Sequence, residues 1–171
     1  NEQQMHLYGD YSCNVLNSAA LRMLASTGLS GVQFFLETDR STLATALEHY
    51  RYNCPQHKGR RMQVGLYVHG RPPLFTSRLD APHFKGQRSF ASPRGERFYL
   101  DSKEDAVYAF AHVSFSLLPY VSELRGFGVN YLVVDISQGQ PKKICAEMTA
   151  LLSGRGELPL VISGNYGGTL M

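Results

Sequence analysis

The chain has 171 residues, of which 43% are hydrophobic and 18% are charged, and this composition predicts one globular domain with its own core. No apolar run approaches the roughly 20 residues that a membrane-spanning helix needs. The net charge is only +3, but the segment from His57 to Arg97 holds nine Lys or Arg residues and two acidic residues. This asymmetry predicts an anionic partner such as RNA, phosphate or a carboxylate, and a solvated acid-poor loop is the alternative.

The first seventy residues alternate between strand and helix patterns. The predicted elements are a strand within residues 7–17, a helix at 17–28, a strand at 31–37, a helix at 39–53 and a strand at 62–70. Strands and helices that alternate at regular intervals are typical of right-handed parallel βαβ units.

Capping residues and apolar stripes support both helices. Asn17 or Ser18 is a predicted N-cap of the first helix, and Gly28 lies where a C-terminal glycine would end it. Asp39 or Ser41 is a predicted N-cap of the second helix. Its predicted apolar stripe consists of Leu43, Ala46, Leu47 and Tyr50.

Residues 71–105 interrupt the alternation. This segment is rich in proline and glycine and has no helical period, which is typical of a functional or locally structured loop. Residues 96–100 and 106–115 predict two strands on either side of the polar sequence DSKED. We therefore predict a loop and an inserted β-hairpin as an excursion over residues 71–115.

The alternation then returns. The predicted elements are a helix at 117–128, an apolar strand at 129–137 that ends in Asp135, a helix at 141–154 that begins with Pro141, and a last strand and loop at 158–171. These elements make about four βα units. The prediction is an α/β fold that forms either part of a TIM-type barrel or an open sheet, since a complete barrel needs roughly 250 residues.

The cysteines and the first residues indicate where the protein resides. Cys13, Cys54 and Cys145 show no CxxC spacing, which argues against a disulfide framework or a cysteine-rich metal site within this chain and predicts reduced thiols in a cytoplasmic protein. The sequence NEQQMHLYGD lacks the basic and apolar regions of a signal peptide. Because no initiator Met is present, we expect the chain to be a piece of a longer protein.

Functional residues of parallel α/β folds lie at the carboxyl ends of strands. His69 is a candidate proton shuttle at such an end, and Glu37 is a candidate base or a partner that orients His69. Arg71 and Arg78 are candidates for binding a carboxylate or phosphate through paired hydrogen bonds. The further strand-end candidates are Asn14 and Asn17, as substrate-binding residues, and Asp135.

Each candidate also has a purely structural explanation. Glu37 could pair with a helix N-terminus, and Asp135 could stabilise the turn before Pro141. His69 could bond to backbone in a turn, and the two asparagines could act only as caps. The sequence contains no GxSxG, HExxH or phosphate-binding GxxxxGK[ST] pattern that would decide between these explanations.

Three stretches, in this order, resemble the U32 peptidase family of collagenase-like proteases and their relatives. NVLNSAALRMLASTGLSGVQFFLE resembles a family segment in which N-x-x-N-S leads a helix and the next strand ends in a Glu. VGLYVHGRPPLFTSR resembles the family's strand that ends in His-Gly, and FSLLPYVSELRGFGVNYLVVDIS resembles a later helix and strand. The resemblance covers about residues 12–137 and implies the C-terminal half of a barrel-like domain.

The resemblance marks Asn14, Asn17, Glu37, His69 and Gly70 as site residues. Family members include peptidases, and others serve in hydroxylation of RNA bases or of ubiquinone precursors, several with an iron–sulfur cluster. The cluster-bearing members have cysteines directly after the His-Gly, whereas residues 71–78 here contain none. We therefore expect no such cluster within this chain. A divalent metal ion shared by Glu37, His69 and residues outside the chain is an open alternative.

Three functions are thus compatible with the sequence. The first is a U32-type peptidase in which Glu37 and His69 are acid–base or ligand groups. The second is an RNA-modification factor of the same family, whose basic segment binds phosphates. The third is a noncatalytic domain that completes or regulates a larger barrel. We take the peptidase as the leading hypothesis, with a peptide or RNA as the predicted substrate and no membrane partner.

Overall fold

The structure, a computed structural model, describes residues 5–53, 59–79, 89–103, 106–137, 140–153 and 163–167. The chain divides into two compact units. The first contains the described parts of residues 1–68, 117–134 and 163–171, and the second contains those of 69–116 and 135–162. The predicted excursion over 71–115 therefore lies within the second unit. Within these described ranges, no helix has the length and apolar character needed to cross a membrane.

The described chain is mixed α/β, with both parallel and antiparallel strand pairing. Its strands are β1 (Tyr8–Gly9), β2 (Gly31–Gln33), β3 (Gln63–Gly70), β4 (Phe75–Ser77), β5 (Ser89–Ala91), β6 (Arg97–Lys103), β7 (Ala106–Ala111), β8 (Phe115–Ser116) and β9 (Tyr131–Val134). Its α-helices are α1 (Ser18–Ser26), α2 (Arg40–Asn53), α3 (Val121–Phe127) and α4 (Pro141–Leu152). Short 3-10 helices cover Tyr11–Cys13, Leu118–Tyr120 and Gly164–Gly167.

Parallel pairing organises the first unit, as the alternating pattern predicts. β1 pairs with β2, and β2 pairs with β3, both in parallel. β9 pairs with β3 as well. The backbone N–H of Asn130 donates to the carbonyl of Val64 at 2.7 Å in the first unit, and that of Asp135 donates to the carbonyl of His69 at 2.9 Å in the second unit. Because these hydrogen bonds advance together along both strands, β9 runs parallel to β3.

The first two predicted helices of the chain are confirmed as α1 and α2, and so are their caps. The Asn17 side chain accepts a hydrogen bond of 2.9 Å from the backbone N–H of Ala20 at the start of α1. The Asp39 carboxylate accepts one of 2.8 Å from the backbone N–H of Thr42 at the start of α2. The buried residues of α2 are the four of the predicted stripe: Leu43, Ala46, Leu47 and Tyr50.

The core of the first unit lies between these helices and the parallel strands. Every residue of β3 after Gln63 is buried, which is typical of a central parallel strand that is covered on both faces. Fully buried side chains of this unit include Val15, Leu21, Val32, Phe34, Leu43, Leu66, Val68 and Leu124. The predicted apolar stripe of α2 is therefore part of the core of this unit.

The predicted hairpin is confirmed in β6 and β7, and it belongs to a larger sheet than the sequence indicates. Its second strand, predicted at 106–115, is too long, because β7 ends at Ala111 and Phe115–Ser116 form the separate strand β8, which pairs with β3. β6 and β7 pair in antiparallel fashion from Phe98 with Ala111 to Lys103 with Ala106. β4 and β5 extend this pair into a four-stranded antiparallel sheet in the order β4-β7-β6-β5. β4 and β5, each of which has only three residues, are not predicted from the sequence.

The strand predicted at residues 31–37 is too long. β2 ends at Gln33, and Phe34 then makes only an isolated parallel bridge with Val15. The chain turns at the next residues, so Glu37 lies exposed in a turn and not at a strand end. Of the apolar residues that extend the pattern, Phe34 is fully buried, whereas Phe35 and Leu36 are partly exposed and belong to no strand. Of the strand and loop predicted at 158–171, the described residues 163–167 contain a 3-10 helix and the others lie outside the described part.

Candidate functional site

His69 lies near the carboxyl end of β3 and is held by main-chain contacts on two strands. It pairs with Ser116 of the antiparallel β8. Its carbonyl oxygen accepts the hydrogen bond from the backbone N–H of Asp135, which directly follows β9. The residue is only 9% exposed. The backbone therefore fixes His69 at the end of a buried parallel strand, as the sequence predicts.

Gly70 allows the chain to leave the sheet immediately after His69. Its φ of 145° lies in a region that side chains with a Cβ rarely adopt. Gly70 still pairs with Phe115, and the next residue, Arg71, no longer belongs to the strand. The glycine after His69 thus has a structural reason, since its backbone conformation lets the chain leave the strand before Arg71.

Two buried nitrogen atoms of this segment have no hydrogen-bond partner among the described residues. They are Nδ1 of His69 and Nε of Arg71. A buried polar group without a partner costs about 1–3 kcal/mol, so such atoms are rare in folded proteins and often mark a ligand or water position. The histidine and the arginine are therefore both available to bind an additional group.

Burial and nearby charges set the protonation of His69. Burial lowers the pKa of the imidazole below its ordinary value of 6.5, and the positive charge of Arg71 acts in the same direction. The carboxylates of Glu147 and Asp135 oppose this shift, since each favours the protonated ring. The net effect is a pKa below 6.5, so the neutral imidazole predominates at pH 7, while both carboxylates favour the protonated ring.

Glu147 is a member of this group that the sequence analysis missed. It lies in α4, where its carboxylate also forms an i,i+4 contact of 3.9 Å with Lys143. The only sequence signal was this charge pair on a helix, which is usually a surface feature. Arg71, Asp135 and Glu147, which all belong to the second unit, are thus the charged residues that act electrostatically on His69.

The other predicted catalytic residue, Glu37, belongs to the first unit. Its backbone carbonyl accepts a hydrogen bond of 3.1 Å from the side-chain amide of Asn165, and its side chain is exposed. The 3-10 helix that carries Asn165 is therefore attached to the Glu37 turn. The role of the Glu37 carboxylate in catalysis stays a prediction.

Both predicted asparagines have clear backbone roles. Asn14 ends a 3-10 helix with φ 53° and ψ 46°, a left-handed conformation that asparagine tolerates better than most residues. Asn17 caps α1 through its side-chain oxygen. The structural explanation that the sequence left open is thus present at both positions, and a contact with substrate stays a prediction.

The basic segment is described only in part. Arg71 is partly buried, whereas Arg78 is exposed after β4. Lys58, Lys85 and Arg88 lie outside the described residues. A phosphate or carboxylate contact of Arg78 stays a prediction, while Arg71 has the location and the unpartnered Nε that such a contact would use.

The described residues do not form a metal site. No three His, Cys, Asp or Glu side chains within them are grouped closely enough to hold a metal ion. A divalent ion that Glu37 and His69 share with residues outside the chain stays a prediction. Of the cysteines, Cys13 and Cys145 are free and exposed, and Cys54 lies outside the described part of the chain.

Comparison with known proteins adds no relative. The chain matches no protein-family model, no curated protein and no solved structure. The resemblance to U32 peptidases therefore rests on the sequence motifs alone, and the geometry around His69 is the independent ground for a functional proposal.

Proposed function

We propose that this chain is an enzyme domain of the U32 peptidase type that hydrolyses peptide bonds at a site built around His69. One observation carries the proposal: a buried histidine, whose Nδ1 has no hydrogen-bond partner among the described residues, lies at the end of a parallel strand and interacts electrostatically with an arginine and two carboxylates. Strand ends of this kind hold the active sites of α/β enzymes. In the same proposal the parallel βα units form part of a TIM-type barrel.

In the proposed reaction His69 acts first as a general base. The neutral imidazole accepts a proton from a water molecule while the water oxygen bonds to the carbonyl carbon of the peptide. The carbonyl oxygen takes up the negative charge, and the guanidinium of Arg71 binds it. The carboxylates of Asp135 and Glu147 stabilise the imidazolium that forms.

His69 then acts as a general acid. The imidazolium returns its proton to the leaving nitrogen as the carbon–nitrogen bond breaks, so that one peptide bond and one water give one carboxylic acid and one amine. The histidine ends in its neutral form, ready for another cycle. Glu37 remains the second proposed acid–base residue, and Asn14, Asn17 and Arg78 remain proposed substrate contacts.

Hydrolysis of fluorescently labelled gelatin by the purified chain tests this proposal. Loss of a general acid–base group lowers the rate by about 10²–10⁴-fold, and we expect that loss for His69→Gln. Arg71→Gln should lower the rate by about 10²-fold or more. His49→Gln is the matched control, because His49 is exposed on α2. Full activity of His69→Gln would overturn the proposal.

The charge distribution favours a second candidate, an RNA-modification factor of the same family. Nine Lys or Arg residues against two acidic residues from His57 to Arg97 suit a polyanion. In this case the purified chain binds RNA, its affinity falls steeply with salt, and it leaves gelatin intact. A chain that does neither alone, but is active with a partner segment, would instead be the noncatalytic domain that completes a larger barrel.

A further inference from the structure

A cleft of about 610 Å³ lies in the first unit, where β2 and β3 begin. We call it the amino-end cleft and define it by the polar residues of its lining: His6, Tyr8, Ser30, Arg60, Arg61 and Gln63. The candidate site around His69 uses the last residues of β3, so the cleft shares no residue with it. Its volume lies in the range of roughly 300–1,000 Å³ that is typical of small-ligand sites.

The charge of the cleft has one sign. Arg60 and Arg61 are neighbours in sequence and exposed, and its described lining contains no Asp or Glu. Neither guanidinium forms an ion pair with an acidic side chain in the part of the chain that the structure describes. Two adjacent guanidinium groups present several N–H donors, which suit the oxygen atoms of a phosphate.

Further polar groups line the cleft. Nδ1 of His6 lies 3.1 Å from Oγ of Ser30, so these two side chains form a hydrogen-bonded pair at the start of β2. A hydroxyl and an imidazole can each both donate and accept hydrogen bonds. The cleft therefore offers neutral polar contacts beside its two positive charges, as the binding of a phosphate ester requires.

Tyr8 supplies an aromatic surface at the cleft and is held in place. Its hydroxyl donates a hydrogen bond of 3.2 Å to Oε1 of Gln63, and its ring meets the ring of Tyr131 edge to face with centroids 5.6 Å apart. The residue is nevertheless 54% exposed. An exposed ring whose orientation is fixed is a suitable surface on which a nucleobase can stack.

We propose that the amino-end cleft binds a nucleotide unit, with its phosphate on Arg60 and Arg61 and its base against Tyr8. The unit is either a free nucleotide or one residue of a single-stranded RNA, since both present the same phosphate and base. The proposal does not depend on the hydrolase proposal. It deepens the RNA alternative only if the strand, and not the free nucleotide, is the ligand.

Binding to the full purified chain tests the proposal with three probes. They are AMP and inorganic phosphate, both by calorimetry, and a fluorescein-labelled A10 RNA, by anisotropy. Replacing both arginines, as Arg60→Gln with Arg61→Gln, should weaken binding of AMP or of the RNA by about 100-fold, since each guanidinium contact contributes about tenfold. Tyr8→Leu should weaken both nucleotide probes but leave phosphate binding unchanged.

The salt dependence of the affinity distinguishes a phosphate contact from nonspecific binding. For RNA, the slope of log affinity against log salt should fall in magnitude by about 0.7 in the double arginine variant, since both arginines contact one phosphate and each phosphate neutralised on a single strand contributes about 0.7. The matched control is Arg125→Gln, an exposed arginine on α3 that should keep wild-type affinity. Circular dichroism verifies that each variant is folded. If Tyr8→Leu does not fold, the base contact is tested by comparing the affinity of the wild type for AMP with its affinity for inorganic phosphate.

The possible outcomes are distinct. Tight binding of AMP identifies a free nucleotide, and binding of A10 alone identifies a strand. The proposal is overturned if the wild type binds none of the probes, or if the double arginine variant binds as the wild type does. Equal affinity for phosphate and for both nucleotide probes would overturn the base contact at Tyr8. None of these results changes the gelatin assay, so failure here and failure of the hydrolase proposal are distinguishable.

Discussion

The backbone N–H of Asp135 donates a hydrogen bond of 2.9 Å to the carbonyl oxygen of His69, and this contact joins the chain after β9 to the end of β3. It involves main-chain atoms only, so it persists whatever side chain replaces the imidazole. Substitutions at His69 therefore alter the chemistry and protonation of the site without removing the contact that positions it.

Stability should depend on pH through His69. Burial lowers the pKa of this imidazole in the folded chain, whereas in the unfolded chain it titrates near 6.5. As the pH falls below 6.5, protons bind to the histidine of the unfolded chain first and stabilise the unfolded state. The contribution of His69 to the free energy of unfolding is therefore complete above pH 6.5 and is lost as the pH falls below this value. In urea titrations from about pH 8 to about pH 5, we expect the wild type to lose more stability than His69→Gln.

His49→Gln is the control for this titration, because His49 is exposed on α2 and should follow the wild type. The free energies of unfolding of the wild type and of His69→Gln are compared at the two ends of the pH range. If their difference is the same at both ends, folding does not lower the pKa of His69, contrary to this prediction.

Gly65 should not tolerate a side chain. A methyl group at this position would overlap the ring of Tyr131, whereas one at Gly126 of α3 would meet no atom within 4 Å. We expect Gly65→Ala to lower the free energy of unfolding by about 1–3 kcal/mol. Gly126→Ala should be neutral or stabilising by up to about 1 kcal/mol, since alanine favours a helix. Urea denaturation measures both.

A double variant identifies the cause of the Gly65 effect. If the overlap with the ring is responsible, Gly65→Ala combined with Tyr131→Ala should be less destabilised than the sum of the two single variants. Strict additivity would mean that the two residues do not interact, contrary to the packing of Tyr131 over Gly65.

Removal of the Asn17 cap should affect stability. Asn17→Ala deletes the acceptor for the backbone N–H of Ala20 and should cost about 1 kcal/mol, whereas Asn17→Ser keeps an acceptor and should cost less. Thermal unfolding measures both. A substrate contact at Asn17 would be detected separately, as a raised KM in the folded Asn17→Ser variant relative to the wild type.

Asp39 should contribute to resistance against acid. Hydrogen bonds from the hydroxyls of Ser41 and Thr42 and from the backbone N–H of Thr42 hold the pKa of its carboxylate well below the usual range. The stability it provides is thus present above pH 3.8 and is lost as the pH falls further. Asp39→Ala should be about 1 kcal/mol less stable than the wild type at pH 7. The difference in free energy of unfolding between the wild type and Asp39→Ala should shrink below pH 3.8. A difference that stays constant down to about pH 2 would contradict this account.

The helices were predictable because their signals are local. The stripe of α2 from Leu43 to Tyr50 follows the helical period, and the caps at Asn17 and Asp39 act within three residues. The strands β4 and β5 were not predictable, since three mostly exposed residues each give no pattern and depend on pairing with β7 and β6. Where a strand ends is likewise set by its neighbours, which is why β2 is shorter than its apolar run.

Of the candidate site, only the residue on the strand, His69, was predictable from the sequence. His69 ends an apolar run at a His-Gly pair, and this location is visible in the sequence. Glu147 acts on the same imidazole from α4, far along the chain. No local pattern connects a helix residue to a strand end, because their proximity depends on how α4 packs. The exposure of Glu37 follows from the early end of β2, which depends on tertiary contacts in the same way.

The most direct test of the account is the pH dependence of kcat/KM for gelatin hydrolysis by the wild type and by His69→Gln. If His69 is the general base, kcat/KM of the wild type should rise through a pKa below 6.5 and be constant at neutral pH, since the neutral imidazole is the active form. The variant should be at least about 10²-fold slower and should lack this rise. A variant with the rate and the pH profile of the wild type would contradict the account.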